Sequence, residues 1–324
     1  MIITALIFIV FTLALLLFYK FKTKTENFTI SEIKEETKKS IIVRIIGNTL
    51  PEINHPEQNL NNLKYILENE QEFPNVKKIW VLNRIVNSEL EDKYKKLLTQ
   101  NGKRFETISF DKKYFNKLQK NTNSEVKKKN KTDYKYFKEI AENMNKILYI
   151  SNINGARNYA LNRFRTQCDY TMVLDGNIFL TEEKFNEISN VMNNGENDYI
   201  LIPIKRIGNY KEINEENLNK LNDGEPQIIF SKDSKLTFNE NIPYGFSNKV
   251  ELLNIIGSNG HWKNYKDNEY LNIKSRNANG KKYSHDTCAY FIRLPSLFDG
   301  ESHKNITQTD RSKAMLKLIN LNTN

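Results

Sequence analysis

Short apolar runs alternate with segments of helical periodicity along the first half of the chain. Three runs rich in β-branched and aromatic residues predict strands, at 41–46, 76–82 and 105–110. Two intervening segments predict helices, at 58–73 and 88–98, the second of them capped by Ser88. Strands that alternate with helices favour a parallel sheet. Any Rossmann-like domain shows this order, so the order alone identifies no function.

The second half of the chain continues as a mixed α/β pattern. Further strands are predicted at 170–174, 199–204, 227–230 and 289–294. Helices are predicted at 181–192, from about Asn248, and over the amphipathic segment 308–321. Pro203 lies within one of the strand runs. Because proline has no backbone N–H to donate, it predicts a sheet edge or a strand end there.

The apolar run 170–174 ends at an acidic step that we take as the centre of the chemistry. A predicted helix carrying Arg157 and Asn158 precedes the run, and the run stops at Asp175, the first residue of the sequence DGN. The carboxyl ends of strands are where open α/β sheets bind their ligands. The same step is also typical of an ordinary strand-to-turn junction.

The sequence NGARNYAL…DYTMVLDGN resembles the core of the GT-A nucleotide-sugar glycosyltransferases, and of their family 2 in particular. In that fold an RN-containing helix precedes a strand that ends in a D-x-D motif. This chain departs from the motif at its third position, which is Asn177. The resemblance implies one Rossmann-like GT-A domain over 41–324, with a mixed, mostly parallel central sheet. Its nucleotide-binding half would be 41–180 and its acceptor half 181–300.

The resemblance also implies a donor, a nucleotide-diphospho-sugar, held by Arg157 and Asn158. Without it, Arg157 reads as an ion-pair former on a helix surface. Arg44 and Asn48, at the end of the first predicted strand, are further candidates for donor binding. An ordinary strand-to-loop exit would place the same residue types there.

A divalent cation, Mn²⁺ or Mg²⁺, is the expected cofactor, because it neutralises a departing diphosphate without proton transfer. These ions prefer oxygen ligands, which Asp175 and Asn177 would supply. Gly176 between them would leave room for a phosphate. The family often adds a ligand from its C-terminal region, for which His285 is the candidate. A solvent-exposed histidine is the alternative.

The family's acceptor-activating base lies in the first turn of a helix that follows a glycine-aromatic turn. Glu251 is the acid in the corresponding place, after Tyr244-Gly245-Phe246. It would deprotonate the acceptor hydroxyl. Where the family has an adjacent acidic pair, this chain has Lys249-Val250-Glu251. Glu251 as a plain first-turn helix charge remains open.

Charge and cysteine content narrow the classes of partner. The formal net charge is +10, with one dense basic run at 127–131 and no aromatic residues interleaved with it. This pattern does not favour nucleic acid as a partner. Cys168 and Cys288 are too few for a disulfide framework and lack the spacing of a zinc site.

An uncharged run occupies positions 2–19, long enough to cross roughly 27 Å of hydrocarbon as a helix. It predicts a single membrane anchor, followed by a stalk at 20–40. A signal peptide is less favoured, because no basic segment precedes the run. Lysines at 20, 22 and 24 place the predicted domain on the cytoplasmic side.

These patterns together predict a membrane-anchored glycosyltransferase whose acceptor is a glycan or a lipid-linked molecule. Two alternatives stay open. A catalytically silent nucleotide-sugar or glycan-binding protein would share the fold, and the departures at DGN and at the acidic pair favour it. A basic scaffold at the membrane surface would show steep salt dependence and no affinity for nucleotide sugars.

Overall fold

The computed structural model describes residues 40–122, 131–194, 197–246, 249–258, 260, 276, 285–287, 289–295 and 307–323. For 131–133, 285–287 and 308 it describes the backbone alone. The predicted anchor at 2–19, nearly all of the stalk and His261, Trp262 and His303 lie outside these residues. Among the described helices, none has the length and apolar character that a membrane crossing requires.

The described elements alternate between strand and helix over most of the chain. The strands are β1 (Ser40–Ile46), β2 (Val76–Asn83), β3 (Arg104–Ile108), β4 (Tyr170–Asp175), β5 (Ile178–Phe179), β6 (Tyr199–Arg206), β7 (Gly224–Ser231), β8 (His285–Thr287) and β9 (Phe291–Arg293). The helices are α1 (Gln58–Asn69), α2 (Ser88–Gln100), α3 (Lys112–Lys117), α4 (Lys131–Glu142), α5 (Met144–Ile150), α6 (Ile153–Phe164), α7 (Glu182–Asn194), α8 (Glu215–Asn219), α9 (Val250–Ile256) and α10 (Gln308–Thr323).

The described strands form one mixed sheet in the order β3-β2-β1-β4-β7-β6-β9-β5, with β8 beside β6. The predicted parallel pairing of the first three strands is confirmed, and β4 joins them in parallel on the other side of β1. β7 then runs antiparallel to β4 and to β6. The carboxyl ends of β1, β2 and β4 therefore meet at one edge of the sheet, with Ile45 opposite Asp175.

β1 is buried along its whole length. Ile41, Val43 and Ile45 pack in one apolar cluster with Ala156, Ala160 and Leu161 of α6. Ile42 and Ile46 alternate with them and pack in two other clusters. A strand that is covered on both faces has apolar residues at nearly every position, and this is why the sequence of 41–46 predicts a buried strand.

Pro203 marks neither a sheet edge nor a strand end, because β6 continues to Arg206, so that prediction is wrong. β6 lies between β7 and β9. Its register with β7 shifts between Ile202 and Ile204, which places the proline at an irregularity of the ladder. At such a position a missing N–H costs no regular hydrogen bond, because the bulged residue is already unpaired.

The cap of α2 also differs from the prediction. Asn87, not Ser88, precedes the helix, and its side-chain oxygen accepts a hydrogen bond of 3.0 Å from the backbone N–H of Leu90. Ser88 is the first helical residue. A one-residue shift of this kind arises because both residue types are good caps and the pattern alone does not choose between them.

α10, the last described helix, packs against α4 and α5 from the middle of the chain. The buried side chains of α10 that join this cluster are Ala314, Met315, Leu316, Leu318 and Ile319. They lie with Phe137, Ile140 and Ile147. The predicted helix at 308–321 is thus present and two residues longer.

Candidate functional site

α6 carries the arginine that the sequence singled out, and its start is held by local contacts. Asn152 caps the helix by accepting a 2.7 Å hydrogen bond from the N–H of Gly155. A Cβ at position 155 would lie 2.3 Å from that cap side chain, so a larger residue there would displace the cap. Asn154 donates to the carbonyl of Asn239 at 2.7 Å. These contacts fix the first turn of α6 beside the carboxyl ends of β1 and β4.

Arg157 and Asp175 form an ion pair at the end of β4. The Nη2 atom of Arg157 lies 2.7 Å from Oδ1 of Asp175, with the two side chains 4% and 20% exposed. Nη1 of Arg157 donates to Asn154 at 3.0 Å, and the guanidinium lies 5.1 Å from the ring centre of Phe238. The Nε atom of Arg157 is buried and has no hydrogen-bond partner among the described residues. The pair therefore presents a fixed, partly exposed carboxylate at the edge of the sheet.

Asp175 is ionised at neutral pH. Burial on its own raises the pKa of this carboxyl, but the charges of Arg157, Lys249 and Arg293 lower it by more. The net result is a pKa well below its usual range. Its second oxygen faces the amide of Gln227 at 3.5 Å. Asp175 thus suits a charge-holding role and is a poor proton acceptor at pH 7.

Gly176 lies in a tight contact with the end of β1. A Cβ at this position would lie 2.8 Å from the carbonyl oxygen of Ile45 and 3.0 Å from the side chain of Ile46. The turn after β4 therefore presses against the end of β1. The missing side chain makes room for the neighbouring strand.

Lys249 and Glu225 form a second ion pair near the first. Their charged atoms are 3.2 Å apart, and Lys249 is buried at the residue that precedes α9. Burial lowers the pKa of Lys249, and the charges of Glu225 and Asp175 oppose that shift without cancelling it. In the sequence, Lys249 was notable only because it belongs to the segment Lys249-Val250-Glu251, where the GT-A family has an adjacent acidic pair.

Asn158 links α6 to the loop that precedes α9. Its amide nitrogen donates to the carbonyl of Phe238 at 2.9 Å and to the carboxylate of Glu240 at 2.8 Å. Its oxygen accepts from the N–H of Phe238 at 2.9 Å. These contacts occupy both ends of the Asn158 side-chain amide and hold the loop at Phe238 against α6.

Arg44 is engaged inside the fold. Its side chain is fully buried, Nε donates to the carbonyl of Ile178 at 2.9 Å, and Nη2 is paired with Glu70. Because side chains alternate along a strand and Ile45 is level with Asp175, Arg44 lies on the opposite face of the sheet from that carboxylate. It does not join the other predicted donor-binding residues.

Asn48 holds three loop segments together at the carboxyl end of β1. Its nitrogen donates to the carbonyls of Arg84 and Ile150 at 2.8 and 3.0 Å, and its oxygen accepts from the N–H of Val86 at 2.9 Å. It lies at the predicted edge. Backbone groups of Arg84, Val86 and Ile150 occupy its polar atoms, so Asn48 holds these loop segments in place at the edge.

Glu251 lies in the first turn of α9, as predicted, and is buried there. Its carboxylate accepts hydrogen bonds from Nε and Nη2 of Arg276 at 3.2 and 2.7 Å, and from Asn239 at 3.0 Å. One guanidinium therefore holds this carboxylate at two points.

The residues described around Asp175 do not fit a divalent cation. One oxygen of Asp175 accepts from the Arg157 guanidinium and the other faces the neutral amide N–H of Gln227, so hydrogen-bond donors already take directions that a metal would need. Asn177 is buried and uses its backbone carbonyl to accept from Leu294 at 2.9 Å. Within the described residues, no group of three or more His, Cys, Asp or Glu side chains is placed to hold a metal. The backbone of His285 lies in β8, and its side chain is outside the described part.

Several charged residues near the site carried no signal in the sequence. Arg84 follows β2 with a positive φ of 47°, and its guanidinium lies 5.1 Å from the ring centre of Tyr149. Arg206 ends β6 and Arg293 ends β9, where they are paired in register. No local pattern marks any of these three, because each is an ordinary arginine at the end of a strand.

Comparison with known proteins gives structural matches only. No protein-family model matches the chain, and no curated protein matches it. Among solved structures it is similar to S. aureus TarS 1–349, at 13% identity and a TM-score of 0.35, over 77% of this chain and 60% of that one. The complex of TarS 1–349 with UDP-GlcNAc gives 12% and 0.35, over 88% and 66%. A putative nucleotide-diphospho-sugar transferase from Desulfovibrio desulfuricans G20 gives 11% and 0.32, over 88% and 98%.

The chain thus spans about two thirds or less of the TarS chains it matches, and 39% of full TarS. At this level of identity and superposition, none of these similarities bears on the chemistry of the site.

Proposed function

We propose that this chain binds a nucleotide-diphospho-sugar at the carboxyl edge of β1, β2 and β4 and transfers the sugar to an acceptor hydroxyl. The observation that carries the proposal is the Arg157–Asp175 pair at the end of β4. It stands where open α/β sheets bind ligands, within a set of further cations. The sequence around both residues resembles the donor-binding core of GT-A transferases.

The chemistry requires one bond to break and one to form. The bond between the anomeric carbon and the diphosphate oxygen breaks, and its electron pair leaves with the diphosphate. The acceptor oxygen bonds to the anomeric carbon, and its proton passes to a base. Positive charge at the leaving diphosphate lowers the barrier, because negative charge develops there. Arg157 contributes to this charge, while Asp175 holds its guanidinium in one orientation.

The acceptor and the location are further parts of the proposal. An acceptor that is a glycan or a lipid-linked molecule suits a chain held at a membrane by its segment 2–19. That attachment, and the cytoplasmic side of the domain, remain predictions of the sequence.

A catalytically silent binding protein is the second candidate, and one observation favours it. Glu251, the predicted base, is held by Arg276 and Asn239. A protein that binds the donor without a free base would retain the sugar nucleotide and transfer nothing. Donor binding and product formation therefore have to be measured separately.

The binding test uses the full chain and a panel of UDP-, GDP-, CDP- and dTDP-sugars in a thermal-shift assay. A ligand at about 100 times its Kd stabilises the folded state by about 2.7 kcal/mol, which is readily visible as a rise in Tm. We expect one nucleotide class to raise the Tm. If no member of the panel changes the Tm, the proposed function is wrong.

Arg157→Met should weaken binding of that donor by at least about tenfold, because a charge-assisted contact is lost. Arg163→Met is the matched control: Arg163 is on the same helix, 54% exposed, and 3.6 Å from Glu106 at the surface. It should leave the Kd within about twofold. Circular dichroism of both variants shows whether they are folded, and Arg157→Lys, which keeps the charge, should recover part of the affinity.

Release of nucleoside diphosphate separates the two candidates. Steady release in the presence of acceptor glycans or lipid extracts identifies a transferase. Tight donor binding with no release under any of these conditions identifies a binding protein.

A further inference from the structure

Two arginines lie side by side at the ends of neighbouring strands. Arg206 is level with Arg293 in the parallel pairing of β6 and β9, and Arg293 is also level with Ile178 of β5. Residues that are level on adjacent strands project to the same face at about 5 Å. Like charges in such a pair repel each other, so the arrangement is unfavourable unless an anion lies between them.

Other cations surround this pair. The charge of Arg311, on α10, acts on Arg206. The Arg311 side chain passes close to Gly245: a Cβ added there would lie 3.5 Å from its Cδ atom. The charge of Arg293 is the main cause that lowers the pKa of Arg206 to about 10. The Nε atom of Arg293 is buried without a hydrogen-bond partner in the described part of the chain.

The nearby carboxylates of Glu225 and Asp175 offset only part of this charge, because each has another cation as its ion-pair partner. Glu225 is bound by Lys249 and Asp175 by Arg157. Arg206 is exposed at the end of its strand, and Arg293 is partly exposed beside it. The region next to Asp175 therefore carries an excess of positive charge that solvent and ligands can reach.

We propose that Arg206 and Arg293, with Arg311 beside them, bind the diphosphate of the donor directly and supply the positive charge that the family resemblance assigns to a divalent cation. The proposal rests on the proposed function, since it names how that same site holds its substrate. The guanidinium fork matches pairs of phosphate oxygens, and two adjacent forks match two linked phosphates. The residues around Asp175 do not fit a metal ion, and this agrees with the assignment of the positive charge to arginines.

The test uses inorganic pyrophosphate as a probe that carries no base and no sugar. The full chain is titrated with pyrophosphate by calorimetry in buffer containing EDTA. We expect binding without metal, and we expect Arg293→Gln and Arg206→Gln each to weaken it by about tenfold or more. Because Arg206 is exposed, its variant tests the site even if Arg293→Gln does not fold.

Lys205→Gln is the matched control. It removes the same charge one residue earlier on β6, where the ammonium is held by Asp223 at 2.7 Å and by the carbonyl of Leu221 at 2.6 Å. Its pyrophosphate affinity should stay within about twofold of the unaltered chain. An equal loss in the control and the Arg206 variant would reveal general charge attraction and would overturn the proposal.

Two further outcomes separate this proposal from the function above. Binding that appears only when Mn²⁺ or Mg²⁺ replaces EDTA overturns the arginine site and leaves the transferase proposal standing. Pyrophosphate binding that depends on both arginines, with no response to any nucleotide sugar, supports the arginine site and removes the transferase proposal.

Discussion

A buried charge acquires its role from the partner that folding brings to it, and Arg44 shows this at the scale of one residue. It lies near the carboxyl end of the apolar strand β1, where the sequence suggested a ligand contact. In the structure Glu70 accepts from Arg44 and, at 3.0 Å, from the N–H of Leu180, and its other oxygen forms an ion pair with Lys78 at 3.0 Å. This acid from the end of α1 thereby holds β1, β2 and β5 together.

Glu70→Gln should therefore cost stability. The change leaves two buried cations without their counter-charge, and breaking a buried pair in this way costs about 3–5 kcal/mol. The free energy of unfolding from urea titration measures it. Glu216→Gln, which breaks the exposed pair with Lys220, should change the value by less than about 1 kcal/mol. Similar losses in both variants would contradict a structural role for the Arg44–Glu70 pair.

At the scale of elements, the turn after β4 decides where Asp175 points. The DGN step turns tightly against β1, and Leu294 of the segment after β9 donates to the carbonyl of Asn177. The turn is therefore held by a strand from the start of the chain and by a segment near its end. This explains why a short turn motif can orient a carboxylate so firmly.

Gly176→Ala tests that packing. The added methyl would lie 2.8 Å from the carbonyl of Ile45, so the backbone must shift, at a cost of about 1–3 kcal/mol. Gly47→Ala is the control, because nothing lies within 4 Å of its Cβ and its φ is not positive. It should be neutral or stabilising by up to about 1 kcal/mol. Equal Tm values for the two variants would show that the turn is not packed as described.

At the scale of the molecule, the fold is completed by α10, which brings the end of the chain onto α4 and α5. Leu318 and its neighbours are buried in that cluster, whereas Leu321 on the same helix is 64% exposed. α10 also carries Arg311 to the arginine pair. The same helix therefore contributes apolar side chains to the core and a cation to the proposed arginine site.

Leu318→Ala should lower the free energy of unfolding by about 2–4 kcal/mol, the usual cost of a cavity in a packed core. Leu321→Ala should change it by no more than about 0.5 kcal/mol. Denaturant unfolding followed by circular dichroism compares the two directly. A small effect at Leu318 would mean that α10 is not part of the cooperative core.

The sequence by itself determined the longer strands, the helices α1, α2, α6, α7 and α10 and the parallel order of β1 to β3, because periodicity and β-branched runs are local signals. It missed β5 and β8, which are only two and three residues long, and the helices α3, α4, α5 and α8. It also located the pair at the centre of the site: Arg157 and Asp175 are 18 residues apart, on a helix and the strand that follows it. Neighbouring elements of an α/β unit pack together, so proximity in the chain predicted proximity in space.

Only the tertiary structure decided which polar groups are occupied and which are left for a ligand. Arg44 and Asn48 are bound by residues from distant segments, and Arg206 meets Arg293 through strand pairing late in the chain. The energy of a charged side chain depends on the charges and donors within a few ångströms of it. Those neighbours are set by long-range packing, which no local pattern of residues records.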